Sequence, residues 1–534
     1  MGSVIYPSFG KGYGEAGASY RRRALRGFLA RSGSAHEDID YNNQTLRERA
    51  RMLYMAAPIA GSAIKTSRTN VIGLGLKMNP KIDREFLKLS AEAADRWEKK
   101  VKAEFALWAE NKNACDATGI NNFYAMQQLC FTSWLVSGDV FVLKKQKEPT
   151  AWMPYSLRLH VVEADRCATP ESTGMWNVTA VKRGENTIYD GVEVDPDGAV
   201  VAYHFRNRHP YETILEETKY KRVEAYGKQT GLPNVLHIMN AERPEQYRGV
   251  TYLAQIIEPL LQTRRYTESE ITAAVVESFF TAFIKTNTNK DEFPIGEVGE
   301  EGEAQVSYDP NEYEMGPGNV VHLNPDESVE FGDPKRPASG FGSFMKEMCG
   351  QIGAALEIPR DILMKEFNSS YSASRGALLE AWKAFRMYRK WFVDDFCSPV
   401  YGIWMAEAVA RGRISAPGFF QDPFIRNAWL GCEWIGPTQG QLDPVKEVTA
   451  EIMSVAAGFS TNADSAIRIN GSDWNHNMDQ IQREEEKKQD VFGQGQQEMQ
   501  NRNGNLIQAV VYAAVKDALT ERREENGTVV QDYE

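Results

Sequence analysis

The sequence predicts an α+β protein that is mainly helical. Residues 356–396, LEIPRDILMKEFNSSYSASRGALLEAWKAFRMYRKWFVDDF, predict two helices that meet at a tight, proline-marked turn. In the second helix Leu378, Trp382, Phe385, Arg389, Phe392 and Phe396 recur every three or four residues, which makes one wide apolar face. From 138 to about 240 the apolar period shifts from 3.6 toward 2, the signature of strands. Helical pattern then returns at Tyr252.

Each element follows from local chemistry. Residues 1–40 are rich in Gly, Ser and Arg and read as a flexible arm, with YRRRALRGFLARSG (20–33) as a short basic helix inside it. Helices are expected over 44–66, over 84–110 and from about Asn122 to Ser137, with Gly73 and Gly75 marking a turn and strand after the first. DVFVLKK, LRLHVVEA and AVVAYHFRNR read as strands. Pro196-Asp197-Gly198 supplies a hairpin turn within IYDGVEVDPDGAVVAYHF. The first 250 residues thus read as one α+β domain.

A helix is expected from Tyr252 to about Lys285. An acidic, glycine-rich stretch follows, then a hairpin of NVVHL and SVEF around Asn324-Pro325-Asp326, then a helix over about 341–356. Ser370 and Ser372 are N-cap candidates for the long helix, 373–411. Pro399 either bends that helix or ends it and lets a second one start. Asp443-Pro444 reads as N-cap and N1 of the next helix, and Gly458 as its C′ residue. Two more helices are expected near 461–469 and 476–490. GQGQQEMQNRNGN (493–505) reads as a linker and 506–525 as a final amphipathic helix.

Composition narrows the function. The 534 residues leave room for roughly three to four domains. Net charge is −12, which argues against a tight nucleic-acid binder but not against DNA sliding past. Six widely spaced cysteines show no CxxC pair, so a zinc or redox motif is not expected and a reducing setting is. The N-terminus lacks a signal-length apolar run, and Tyr6 stands where a myristoylation motif needs Ser or Thr. The longest apolar stretch, 271–284, is short and broken by Glu277, so a soluble protein without a membrane span is expected.

Tempting motifs fail their context. Gly12–Gly17 spells GxGxxG without a strand before it or a helix after. Ser62-Ala63-Ile64-Lys65 spells SxxK, but neither SDN nor KTG follows, so two polar residues one turn apart on a helix is the better reading. No P-loop, GxSxG or HExxH occurs. His204 and His209 flank an arginine-rich turn, with no carboxylate or cysteine at ligand spacing. We therefore expect no enzyme activity, no cofactor and no metal.

Six stretches together resemble the lambda-type portal proteins of tailed double-stranded DNA bacteriophages. They are LRERARMLYMAAPIAGSAIKTSRTNVIGLGL (46–76), YSLRLHVVEADRCATP (155–170), IYDGVEVDPDGAVVAYHF (188–205), VLHIMNAERPEQYRGVTYLAQII (235–257), NSSYSASRGALLEAWKAF (368–385) and WIGPTQGQLDPVKEVTAEIMSVAAGFST (434–461). The last 70 residues follow no family pattern.

The resemblance implies a portal fold: a flexible arm (1–40), wing (41–251), stem helix (252–285), β-rich clip (286–338), second stem helix (339–358), tunnel loop (359–374), long helix and wing return (375–440), and a helical crown with C-terminal helices (441–534). It implies a head–tail connector, a homo-oligomeric ring of about twelve subunits at one capsid vertex, whose channel passes double-stranded DNA in packaging and ejection. Implied partners are the terminase large subunit, the head–tail adaptor, the major capsid protein and scaffold. The implied location is the virion, after assembly in the host cytoplasm. Arg360, Lys365, Asn368 and Arg375 are the expected channel-facing residues. Glu297, Glu300, Glu301 and Glu303 are the expected docking carboxylates of the clip. An acidic ring suits sliding DNA, because each cation on phosphate adds salt-dependent grip.

Overall fold

A computed structural model describes residues 23–25, 27, 28, 30–170, 179–213, 217–278, 282–286, 327–331, 340–367, 370–440 and 443–492. These divide into two compact units, one drawn from Met1–Ile257 and Gly353–Glu534, the other from Glu258–Ile352.

In the larger unit α1 (Ala35–Ala56) starts at a capping box. Ser34 accepts from the Glu37 amide, and the Glu37 carboxylate accepts from the Ser34 amide. Pro58 has no N–H to continue this helix, and it takes the N1 position of α2 (Pro58–Val71) instead. The single helix expected over 44–66 is therefore two helices, and the first starts earlier.

β1 (Lys77–Pro80) follows, then α3 (Ala91–Ala109), capped by Ser90. The helix expected from 84 starts later, because Lys88 at φ 55° interrupts helical geometry. α4 (Lys112–Cys115) and α5 (Phe123–Ser137) complete the first helical set, with Asn122 capping α5.

β2 (Asp139–Gln146) pairs antiparallel with β3 (Leu157–Glu163) on one side, and with the later β9 (Val235–Met239) on the other. Between them β4 (Ala180–Arg183), β5 (Asn186–Tyr189), β6 (Val192–Val194), β7 (Val200–Arg206) and β8 (Tyr220–Glu224) form a five-stranded antiparallel meander. The expected turn closes β6 onto β7: Asp195 Oδ1 accepts from the Asp197 and Ala199 amides, and Gly198 sits at φ 86°. Phe141, Val162, Val192, Tyr203, Phe205 and Val235 from the two sheets share one core.

The smaller unit holds most of α6 (Ile257–Ser278), β10 (Ala282–Thr286), β11 (Glu327–Phe331) and most of α7 (Phe341–Ala355). The expected helix to Lys285 stops at Ser278, and β10 takes the next place. β11 pairs antiparallel with β10, Ile284 opposite Val329. The partner expected for SVEF, residues 319–323, lies outside the described residues, as do the GxGxxG segment and the helix 506–525. Within this unit Tyr266 meets Phe341 and Phe344, and Thr267 meets Met345, which holds α6 to α7.

Back in the larger unit come α8 (Arg360–Met364) and α9 (Tyr371–Phe392), a wide π turn (Val393–Cys397), then α10 (Ser398–Ala410). Pro399 lies in the first turn of α10, and the π turn just before it accommodates its missing donor. α11 (Pro423–Trp429), β12 (Cys432–Ile435), α12 (Pro444–Ala456), α13 (Asn462–Asn470) and α14 (Trp474–Phe492) follow. β12 pairs with β1, Lys77 opposite Ile435. The α9 face buries Trp382, Phe385 and Phe392, as its spacing predicts. Phe105, Phe123, Phe396 and Trp404 interlock beside it, with Phe105 edge-on to Trp404 at 5.1 Å and Phe123 stacked on Phe396 at 5.5 Å. Truncating such a side chain costs about 3–5 kcal/mol.

Candidate functional site

Three of the quoted stretches converge on one buried arginine. Arg248 is fully buried. Its Nε donates to Asp139 Oδ2 at 2.7 Å, and Nη1 donates to Asp190 Oδ2 at 2.6 Å and the Cys167 carbonyl at 3.0 Å. Nη2 donates to the Ala164 carbonyl at 2.9 Å. Arg47 on α1 lies 3.6 Å from Asp139 and 3.8 Å from Asp190. Two guanidiniums thus face two carboxylates, Asp139 at the start of β2 and Asp190 after β5. Burial alone would raise the Asp139 carboxyl, but Arg248 and Arg47 outweigh it and hold it well below the carboxylate range. Gly249 packs on Gly138 beside the cluster, where an added Cβ would stand 1.9 Å from the Gly138 carbonyl oxygen. The cluster is a brace: its charges are paired and sealed from water, so it organises the sheets and does no chemistry.

The segment joining α7 to α9 is held from below. Ile358 donates its amide to the Gly353 carbonyl at 2.9 Å, and a Cβ on Gly353 would stand 2.5 Å from the Ile358 carbonyl oxygen. Ile362 and Leu363 of α8 are buried, and Ser62 on α2 donates to the Leu363 carbonyl at 2.8 Å. Ser62, half of the SxxK motif, is therefore engaged in pinning α8 while Lys65 is exposed. Lys365 ends α8 in the left-handed conformation, φ 56°. Ser370 then caps α9 by accepting from the Ala373 amide at 3.4 Å. The segment 359–374, expected as a tunnel loop, thus contains a pinned helix, with Ile362 and Leu363 buried. Glu366 still donates its amide to the Asp361 carbonyl at 3.0 Å, and Phe367 beyond it is 62% exposed.

Among the expected channel residues, Arg360 is exposed and contacts Asp361 at 3.2 Å. Lys365 is exposed at the opposite end of the same short helix, and Arg375 is exposed on the first turns of α9. Asn368 lies outside the described residues, and so do Glu297, Glu300, Glu301 and Glu303.

Strand β3 and the turn after β7 bring Glu163, Asp165 and His209 together, with ligand atoms within 4.8 Å of one another. Sequence spacing hid this because the residues meet only through the fold. The group is already satisfied: Arg51 pairs with Asp165, and His209 Nδ1 accepts from the Tyr211 amide at 3.3 Å, which leaves its Nε2–H facing the carboxylates. Burial raises Asp165, yet Arg47 and Arg51 prevail and lower it. Among the described residues no helix is long and apolar enough to cross a membrane.

The family model described as "Phage portal protein, lambda family" matches residues 21–389. "Portal protein B" of Escherichia phage lambda is 22% identical over 423 residues, 75% of this chain and 76% of that protein. The "Portal protein" of Escherichia phage N15 is 22% identical over 459 residues, 82% of this chain and 83% of that one. A solved chain titled "Neck of native GTA particle computed with C12 symmetry" aligns at a TM-score of 0.41 with 12% identity, over 81% of this chain and 94% of that chain.

Proposed function

The chain belongs to the lambda family of phage portal proteins, and from that premise we propose that it closes into a ring of twelve subunits at one capsid vertex. The family is a structural one, and the protein is a head–tail connector of the virion. The family match over residues 21–389 is the observation that carries this reading.

The ring surrounds a channel through which double-stranded DNA enters and leaves. α6 and α7 serve as stem helices, and the region 286–338 as the clip. The clip docks the terminase large subunit during packaging and the head–tail adaptor afterward, with Glu297, Glu300, Glu301 and Glu303 steering a basic partner. The shell and scaffold proteins hold the ring at its vertex, and assembly takes place in the host cytoplasm. Residues 359–374 narrow the channel. α8 supports this role: buried Ile362 and Leu363 anchor the short helix, so Arg360 at its start and Lys365 at its end stand on a fixed base. A few cations on an acidic chain grip phosphate weakly enough to let it pass.

Lys365→Glu in assembled particles tests the channel assignment. Packaged or retained DNA should fall while ring assembly persists. Normal DNA content with intact rings would remove Lys365 from the channel.

A further inference from the structure

Helices α9, α12 and α13 and the loop 435–440 enclose a groove of about 430 Å³. Four arginines line it, Arg375, Arg386, Arg389 and Arg468, against two glutamates. Both glutamates are engaged, Glu451 by accepting from Ser465 at 2.9 Å and lying 3.5 Å from Arg468. Arg375 and Arg386 are exposed and have no carboxylate partner among the described residues.

Arg389 is half-buried and donates only to backbone carbonyls: Val71 at 2.9 Å, and Asn70 and Pro437 at 2.8 Å. Burial, then repulsion from Arg386, brings its pKa down to about 10. The indole Nε1–H groups of Trp382 and Trp434, also in the walls, are buried without an acceptor. The groove is therefore rich in donors and positive charge and poor in acceptors. It suits a peptide that carries carboxylates and little else that is charged.

This chain contains such a peptide. Residues 524–534, EENGTVVQDYE, hold four carboxylate side chains and no Lys or Arg. α14 ends at Phe492 and packs on α13, whose Ile467–Ile469 segment forms one wall of the groove. About 30 residues join Phe492 to Glu524, a length that reaches roughly 30 Å even as a coil. Tethering at that length gives an effective concentration on the order of millimolar, ahead of free competitors.

We propose that the acidic segment 524–534 docks in the arginine-lined groove and latches α12 and α13 onto α9. Carboxylates of the segment pair with Arg375 and Arg386, the two exposed arginines without a carboxylate partner in the walls. Exposed pairs of this kind are screened by salt, so the latch loosens as ionic strength rises. The inference stands on the groove and the tail and does not depend on the ring.

The test uses the full-length chain with a photo-crosslinking amino acid in place of Tyr533. After irradiation, mass spectrometry should find crosslinks in 375–389, 435–440 or 467–469. Their yield should drop about five-fold in 0.5 M salt, where the Debye length is only about 4 Å, and in the Arg375→Gln/Arg386→Gln variant. Both substitutions are on exposed side chains, and circular dichroism checks that the fold is kept. Crosslinks confined to other regions, or groove crosslinks indifferent to salt and to both substitutions, overturn the proposal. A DNA site is the competing outcome. If Arg375→Gln/Arg386→Gln weakens binding of a short duplex while removal of 524–534 leaves amide exchange in α9 and α13 unchanged, the groove holds phosphate and the latch is wrong.

Discussion

Arg248 and Asp139 lie 109 residues apart in sequence and 2.7 Å apart in the fold, both side chains fully buried. Arg248 belongs to the stretch RPEQYRG, and Asp139 opens β2. The cluster is electrically balanced only while Arg47, Arg248, Asp139 and Asp190 are all present. Removing Arg248 strands buried negative charge. Arg248→Met should lower stability by about 3–5 kcal/mol, seen as a large fall in melting temperature. Adding Asp139→Asn to the same chain should recover part of the loss. An unchanged melting temperature for Arg248→Met would mean that the cluster is not a brace.

Gly249→Ala should be still less tolerated. The new methyl would stand 1.9 Å from the Gly138 carbonyl oxygen, which is backbone and cannot swing away. Soluble yield after expression is the readout. Wild-type yield and melting temperature would show that the two backbones are not in contact.

Glu407 ties α10 to the start of β3. Its carboxylate accepts from the Ser156 amide at 2.6 Å, the Ser156 hydroxyl at 2.8 Å and the Leu157 amide at 3.0 Å. Glu407→Ala leaves two backbone donors without partners, at about 1–3 kcal/mol each. Faster amide exchange at the β3 N-terminus should accompany the loss. Exchange that stays at the wild-type rate would contradict the role assigned to Glu407.

Asp40 gives a pH signature. Burial raises its carboxyl to about 6, against the hydrogen bond from His36. The folded state thus holds this proton more tightly than the unfolded chain does. Its stabilising contribution is full below about pH 4 and is lost as pH rises through about 6, on the order of 2–3 kcal/mol in total. His160, His204 and His237, each lowered by burial, act in the opposite sense, so the comparison between variants is the clean one. Asp40→Asn should gain stability relative to wild type between pH 5 and pH 7.5. A difference that is flat across that range would refute the burial argument.

Local chemistry made much of the fold legible. Ser370 and Asp443 cap the helices expected of them, and Gly458 at φ 76° ends α12. These are effects of one turn of chain, and sequence carries them in full. Pro58 was equally visible, yet the apolar periodicity ran straight through it and masked the break. The π turn before Pro399 lies between buried Phe392 and Ser398, and the apolar period alone does not reveal it. The pairing of β1 with β12 and the Arg248 cluster join residues hundreds or tens of positions apart, so neither has a local signature. The channel assignment of Lys365 is different again. Its exposure and its pinned base belong to one chain, whereas facing an axis is a property of several copies together.

The central claim is a closed ring, and mass in solution tests it most directly. Native mass spectrometry or light scattering of the purified full-length chain should give about twelve times the 60.1 kDa of one subunit. Negative-stain images of the same sample should show annular particles with a central hole. A species that stays at the mass of one chain across concentration, or that grows without limit into open filaments, would contradict the account.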